Sequence, residues 1–446
     1  MENNASKNQE KEAVKSSPLQ APKGMRDILP EDSIYWDKIF EIAKDTADFY
    51  GFGHIDTPIL EYTDLFSRGV GSGTDIVEKE MYAFRTKGGD NVALRPEFTA
   101  GVMRSFIENG MSRFPQPVKL WYFGPTFRYE NPQAGRYRQF YQMGLEILGG
   151  ETDPVYDAQV IVASIRLFED LKLKDIIVQI NSIGCHTCRA QYRKKLQDFY
   201  KKEIEAAERR RTRVVCRDCE RRVDINVLRL LDCKEDLCQD IKSRAPSILD
   251  SLCSNCRDHF KSVLEFLDEV GIRYELNTFL VRGLDYYNRT VFEFVDANYG
   301  MALGGGGRYD YLAEILDNKS SVPAIGMALG IDRIANLLKE KQIGVPNRKK
   351  EKVFVIHIGE IAKRKTFALM EELKRNRIAA SEAFGKDSLQ AQMRVADKEE
   401  AKMALIIGQK EVYEEATIIR DMKTGIQETV PNSKLIEEIK KRLHKQ

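Results

Sequence analysis

Apolar residues recur at helical spacing through 33–49 (SIYWDKIFEIAKDTADF), with Ser33 placed to cap the first turn. After a short β-like run leading to Pro58, residues 79–95 read as a hairpin: KEMYAFRT, the turn KGGD, then NVALR. Two strand patterns, 118–130 and 139–148, bracket the polar stretch NPQAGRYR, and a helix over 155–171 leads to a strand over 175–181. Residues 182–262 then change character. They are rich in Lys and Arg, helical in pattern, and interrupt a strand-rich region, so they read as an insertion. Strand signals resume at 290–295 (TVFEFV), and GMALGIDR at 326–333 leads from a Gly-rich strand into a helix. A polar hinge with Gly344 and Pro346 follows. Beyond it come VFVIHI, a helix near 362–376, ALIIG at 404–408 and ATIIRD at 416–421, the alternation of a small α/β module.

The 446 residues correspond to about three domains. A hydrophobic share of 42% against 31% charged residues supplies ample core and excludes wholesale disorder. No apolar run approaches the ~18 residues of a membrane span. The polar first 19 residues hold no apolar secretory segment and read as a disordered tail, so a cytoplasmic location is expected. Net charge is only +2, but from residue 348 onward 22 Lys/Arg face 16 Asp/Glu, which gives this segment +6 and the remainder −4. A polyanion would therefore be met at the C-terminal end.

On a strand, side chains i, i+2 and i+4 share a face. Arg128 with Glu130 on one strand, and Phe140, Gln142, Gly144 and Glu146 on the other, make a face unlike a core. It suits an open antiparallel sheet holding a ligand, although an ordinary solvent-facing sheet carries the same pattern. LRPEFT places Glu97 and Thr99 at i, i+2, and VRGLDYY brings Arg282, Asp285, Tyr286 and Tyr287 into a Gly-containing turn before a strand. Arg128, Arg282 and Arg333, each beside Gly or near an element end, fit polyphosphate binding by forked guanidinium donors. GxxxxGK[ST], GxGxxG between strand and helix, and HExxH are all absent, so a bound nucleotide would lie on a sheet and be held by arginines. The five histidines are scattered.

All eight cysteines lie between Cys185 and Cys256, as the pairs Cys185/Cys188, Cys216/Cys219, Cys233/Cys238 and Cys253/Cys256. Short Cys knuckles let two thiolates converge on one zinc ion, so four pairs supply one or two four-cysteine sites, with His259 as a spare ligand. The alternative is a set of reduced thiols packed in a small subdomain.

The assembled motifs resemble histidyl-tRNA synthetase, a class II aminoacyl-tRNA synthetase, from about Ala21 to the C-terminus. KGMRDILPED at 23–32 is similar to that family's N-terminal signature. YGFGHIDTPILE at 50–61 resembles motif 1, FRYENPQAGRYRQFYQMGLE at 127–146 motif 2, and GMALGIDR motif 3. VRGLDYYNRTVFEF and GGGGRYD resemble the two histidine-specific motifs. The resemblance implies an α+β class II core, an antiparallel sheet flanked by helices, with a Cys-rich, mainly helical insertion and a C-terminal α/β anticodon-binding domain. The expected division is a tail over 1–20, core over 21–181, insertion over 182–262, core again over 263–338, a linker over 339–350 and the anticodon domain over 351–446.

The same resemblance implies the residue roles. Arg282 and Arg128 are the catalytic arginines. Histidine is expected against Glu97, Phe98, Thr99, Arg128, Gln142, Glu146, Arg282, Tyr286 and Tyr287. ATP is expected against Arg128, Glu130, Arg138, Phe140 and Arg333, and the tRNA acceptor end against Gln133 and Arg136. The implied substrates and partners are ATP with Mg²⁺, L-histidine and tRNA(His), handled by a homodimer with no membrane attachment. The sequence departs from the family pattern at Phe98, where Gly is usual, at Tyr141, where His is frequent, and at Asn131, where many bacterial members carry Arg. Competing readings are a histidine-sensing paralogue like the regulatory subunit of ATP phosphoribosyltransferase, and a non-catalytic RNA-binding scaffold.

Overall fold

A computed structural model describes residues 19–71, 73–131, 135–316, 320–344 and 352–444. Gln133, most of the expected N-terminal tail and half of the expected linker lie outside the described residues. The chain divides into two compact units, Met1–Val345 and Pro346–Gln446.

The first unit is built on an eight-stranded sheet. Its spatial order is Gly53–His54, Val118–Phe127, Gln139–Leu148, Ala324–Gly330, Ala302–Arg308, Asn288–Asp296, Ile176–Ser182 and Tyr274–Leu276. The outermost pairings are parallel and those between the six central strands antiparallel. Period-2 patterning sorts the two faces. Met143, Leu145 and Ile147, with Ile325, Met327 and Leu329 on the neighbouring strand, point into one hydrophobic cluster. The helices Pro30–Phe49, Pro154–Asp170, Ser254–Glu269 and Ile331–Glu340 cover that cluster. The alternate residues, Phe140, Gln142, Gly144 and Glu146, are left for the opposite face.

The first helix begins at Pro30 rather than at Ser33. Proline at the first helical position leaves no N–H to satisfy, and Glu31 and Asp32 suit the positive helix end. Ser33 instead donates its hydroxyl to the Pro30 carbonyl. The hairpin is shorter than its pattern: Ile76–Glu80 winds into a helical turn, and only Ala83–Arg85 pairs with Asn91–Leu94. The strand expected over 118–130 stops at Phe127. Arg128 N–H makes the last ladder bond, to Arg138 O at 2.9 Å, and Glu130 N–H turns back onto Arg128 O at 2.8 Å. Arg128 and Glu130 therefore lie in a tight turn and do not share a strand face. The helix Ser254–Glu269 runs through residue 262, and its Phe260, Val263 and Leu267 belong to the sheet-covering cluster.

One buried ion cluster ties these layers together. Arg308, 1% exposed, donates Nε to Asp157 Oδ2 at 3.1 Å and Nη1 to Asp310 Oδ1 at 3.1 Å. His259 Nε2 lies 3.3 Å from Asp157 Oδ1, and its Nδ1 lies 3.2 Å from Arg289 Nη1. Burial opposes ionisation of Asp157, but the Arg308 charge and the His259 hydrogen bond hold its pKa well below the usual carboxylate range.

The second unit holds a five-stranded sheet in the order Ala380–Glu382, Val353–His357, Met403–Ile407, Ala416–Asp421 and Gln427–Pro431. Hydrophobic clusters fill both of its faces. No helix among the described residues is long and apolar enough to cross a membrane.

Removing one partner of a buried ion pair strands the other, so Asp157→Ala is expected to lower stability by about 3–5 kcal/mol. Urea unfolding of wild type and variant reads this, and a loss within ~0.5 kcal/mol, ordinary for a surface change, contradicts it.

Candidate active site

The open face of the large sheet is organised around Glu146, which is 0% exposed. Three hydroxyls donate to it: Thr99 Oγ1 to Oε1 at 2.8 Å, Tyr122 OH to Oε1 at 3.2 Å and Tyr309 OH to Oε2 at 2.5 Å. None of these partners is a cation. Burial pushes the Glu146 pKa up to about 8, against the stabilising hydroxyls of Tyr309 and Thr99. The strand beside it must carry no side chain here. A methyl group at Gly326 would fall 1.5 Å from Glu146 Oε2.

Glu97, also buried, accepts the Thr99 N–H at 2.7 Å and the Ala100 N–H at 2.8 Å. It thereby satisfies two of the free donors at the start of the helix Thr99–Glu108. Tyr286 OH reaches the same carboxylate at 3.4 Å, and the Tyr286 and Tyr287 rings lie 4.7 Å apart. Burial raises the pKa of Glu97, and that of the Tyr287 phenol to about 12. Gln142 Oε1 is buried without a hydrogen-bond partner, an acceptor aimed into the site.

The arginines stand around this acid pocket. Arg282 donates Nη1 to Glu293 Oε1 at 2.7 Å, while its buried Nε has no partner. Gly305 makes room for it, since a methyl group there would lie 2.9 Å from Arg282 Nη1. Arg128 donates Nε to Pro96 O at 2.9 Å, with its guanidinium 5.3 Å from the Phe140 ring centroid. Arg333 donates Nη1 to Ala302 O at 2.6 Å, and burial followed by the charge of Arg136 lowers its pKa. Arg138 donates Nε to Glu130 O at 3.2 Å and stacks 3.6 Å from the Tyr129 ring centroid. The N-terminal signature clasps the same region. Arg138 N–H reaches Gly24 O at 2.7 Å, and Arg26 Nη2 donates to Asp332 Oδ1 at 2.9 Å. Asp332 Oδ2 also accepts the Tyr141 N–H at 2.7 Å, which fixes the strand edge whatever side chain stands at 141.

Phe98 is 1% exposed and stacks on Tyr122 at 4.1 Å, with the Arg95 guanidinium 3.8 Å from its ring centroid, so its side chain is core. Arg136 pairs with Glu130 at 3.7 Å. Sequence reasoning gave no role to Tyr122, Tyr309, Glu293 or Glu80. Tyr309 stands in the quoted GGGGRYD, but its link to Glu146 needs the strand order, and Tyr122 is found only through its register opposite Gly144. Glu80 lies near Arg128 and Glu130: burial raises its pKa, Arg128 lowers it and Glu130 raises it.

The cysteines form two quartets, Cys185/Cys188/Cys253/Cys256 and Cys216/Cys219/Cys233/Cys238. His259, the spare ligand expected from sequence, belongs to neither, being held between Asp157 and Arg289.

Comparison with known proteins covers both units. A family profile described as histidyl-tRNA synthetase matches residues 24–334, and one described as anticodon binding domain matches 352–442. The histidine–tRNA ligase of Halothermothrix orenii is 44% identical over 425 residues, 95% of this chain and 99% of that protein. That of Desulforamulus reducens is 42% identical over 423 residues, 94% and 99% of the two chains. The crystal structure of apo histidyl-tRNA synthetase from S. aureus superposes with a TM-score of 0.77 at 35% identity, covering 94% of this chain and 99% of that one.

Glu146 carries a pH signature. Unfolded, a glutamate ionises near pH ~4.3, whereas here the proton is kept up to about pH 8. Between those values the native state binds one more proton than the unfolded chain, so this group's contribution makes stability fall as pH rises, by up to about 1.4 kcal/mol per pH unit. The difference between wild type and Glu146→Gln in urea unfolding at pH 5.5, 7 and 8.5 isolates it. The variant should gain relative stability with rising pH, and a pH-independent difference contradicts the assignment.

Proposed function

The chain belongs to the histidyl-tRNA synthetase family, and on that footing we propose how its open sheet face joins histidine to tRNA(His) at the expense of ATP, releasing AMP and pyrophosphate. One observation carries the reading. Two arginines with donors to spare lie beside the buried carboxyls and phenols, Arg128 near Glu97 and Arg282 near Tyr287, on the sheet face that also carries the unpartnered Gln142 oxygen.

Histidine enters with its imidazole toward Glu146 and Tyr287, with Tyr286 lining the pocket. Its α-amino group meets Glu97, Thr99 and Gln142, and the free Gln142 oxygen takes one of the three ammonium protons. The carboxylate lies against Arg282. No general base is needed in the first step, because this nucleophile is already ionised at neutral pH. Its oxygen attacks the α-phosphorus of ATP in line, the bond to the bridging oxygen breaks, and pyrophosphate leaves with the electron pair. Negative charge builds on the α-phosphoryl oxygens. Arg128 and Arg282 meet it with donors already fixed by Pro96 O and Glu293, which stabilise it without reorganisation. Arg333 holds the far end of the nucleotide, while Phe140 stacks on adenine with Glu130 and Arg138 beside it. In the second step a ribose hydroxyl of the tRNA terminus attacks the carbonyl of the adenylate, and AMP departs.

Mg²⁺ supplies charge neutralisation on the phosphates. The half-buried carboxyl of Glu80, near Arg128, is a hard oxygen donor that would suit it. Arg136 and Gln133 meet the tRNA acceptor end. The +6 C-terminal module takes the anticodon arm. Exposed Leu60, Tyr62 and Phe84 on the small sheet support a homodimer, which acts in the cytoplasm.

Histidine-dependent ATP–pyrophosphate exchange tests the reading, with the other amino acids as controls. Exchange with histidine alone is expected, and none at all, with histidine still bound, sinks it. Arg282→Ala should lower exchange by about 10²–10³, the usual loss for a fixed donor to developing charge, while weakening histidine binding far less. Near-normal turnover removes Arg282 from the chemistry.

A further inference from the structure

The eight cysteines of the insertion are all free thiols, yet they are sorted with a regularity that packing alone does not require. Within each quartet the four sulfurs lie within 4.8 Å of one another. Tetrahedral zinc, with Zn–S bonds of about 2.3 Å, sets sulfurs about 3.8 Å apart. Cys185 and Cys188 are separated by 3.6 Å and Cys216 and Cys233 by 4.0 Å, whereas a disulfide requires ~2.05 Å.

The partition is nested. Cys216/Cys219 meets Cys233/Cys238, while Cys185/Cys188 meets Cys253/Cys256 around the outside, so the outer quartet closes the insertion at its two ends. Backbone donors point at the sulfurs as they do toward thiolates: Cys253 N–H to Cys188 Sγ at 3.1 Å, Cys216 N–H to Cys238 Sγ at 3.2 Å and Cys219 N–H to Cys216 Sγ at 3.5 Å. Each quartet already supplies four ligands and leaves no open position for water, the mark of a structural rather than a catalytic ion.

Beside each quartet one arginine reaches out of the insertion. Arg189, next to Cys188, donates to Asp285 O at 3.2 Å and to Tyr287 O. Arg229, between Cys219 and Cys233, donates to Gly283 O at 3.1 Å. Those carbonyls belong to the segment that carries Arg282, Tyr286 and Tyr287. We propose that the insertion binds two structural Zn²⁺ ions, one in each cysteine quartet, and that the two quartets hold Arg189 and Arg229 under the loop that receives histidine. The first part stands without the functional reading; the second rests on it.

Elemental analysis of the full chain, purified without chelator and exchanged into metal-free buffer, is expected to give two zinc per chain. Cys253→Ser and Cys216→Ser should each leave one. Should either fail to fold, titrating the wild-type thiols with a mercurial while a chromophoric chelator reports metal must release both ions. Zero or one zinc, or iron in its place, overturns the two-ion assignment. Arg229→Ala should keep both ions and raise KM for histidine about tenfold, more than KM for ATP. An unchanged histidine KM overturns the anchoring role, whereas an absence of histidine-dependent exchange in the zinc-loaded wild type refutes the functional reading instead.

Discussion

A carboxyl group buried without a cation is the constraint around which the catalytic unit is arranged. An ionised carboxylate moved into an apolar surround costs several kcal/mol even after relaxation, so Glu146 is tolerated only because it can keep its proton and because three hydroxyls address it. Those hydroxyls come from three separate places in the chain, and a glycine on a fourth makes room. Thr99 sits at the first turn of a helix whose start Glu97 caps, and Tyr309 follows the glycine-rich strand. Tyr122 stands opposite Gly144, and Gly326 opposite Glu146 itself. A slip of one residue in the pairing of Gln139–Leu148 with Ala324–Gly330 would turn Glu146 into the hydrophobic cluster and Leu145 into the site.

The protein uses its buried charges in two distinct ways. Arg308 spends its donors internally on Asp157, Asp310 and the Asp153 carbonyl, so it has little left for a ligand and serves as a bolt between helix and sheet. Arg128 and Arg282 are each pinned by one acceptor, Pro96 O and Glu293, and Arg333 by two, Ala302 O and Gly135 O. A guanidinium has five donors, so such pinning fixes its plane and leaves several for phosphate oxygens. The contrast is between an arginine whose donors are spent inside the fold and three that keep donors for a ligand, as the proposed function requires.

Much of this was legible in the sequence because a strand has a fixed period. Phe140, Gln142 and Glu146 were sorted to one face by alternation, and the helical, Cys-rich stretch was visible as a change of pattern. What was missed depends on long-range register or on one local bond. The Arg128–Glu130 turn looked like strand because nothing in its composition announces that Glu130 N–H closes back on Arg128 O. Tyr122 and Tyr309 belong to Glu146 only once strand order is known. The eight cysteines gave their pairs but not their quartets, since sequence spacing fixes each knuckle and only the fold decides which knuckles meet. Helix starts were misjudged where Pro30 outcompeted Ser33, a choice set by which residue leaves fewer unsatisfied donors.

On the proposed reading, specificity for an imidazole follows from the same buried acid. Glu146 avoids an uncompensated buried charge by keeping its proton near neutrality. A ligand that brings an N–H to its oxygens makes ionisation cheaper, so binding is linked to the proton on this group. An imidazole offers one donor and one acceptor on opposite sides of a ring, which a carboxyl and a phenol can both read. An aliphatic side chain of similar size would leave Glu146 and Tyr287 without those partners in a dry pocket. Sites built on buried polar groups reject analogues that cannot pair with them by roughly 10⁴–10⁵, far more than shape alone achieves. On the proposed reading, the carboxyl that dictates the packing of the sheet face is also the group that would make the site selective, and replacing the glycines that admit it would cost both.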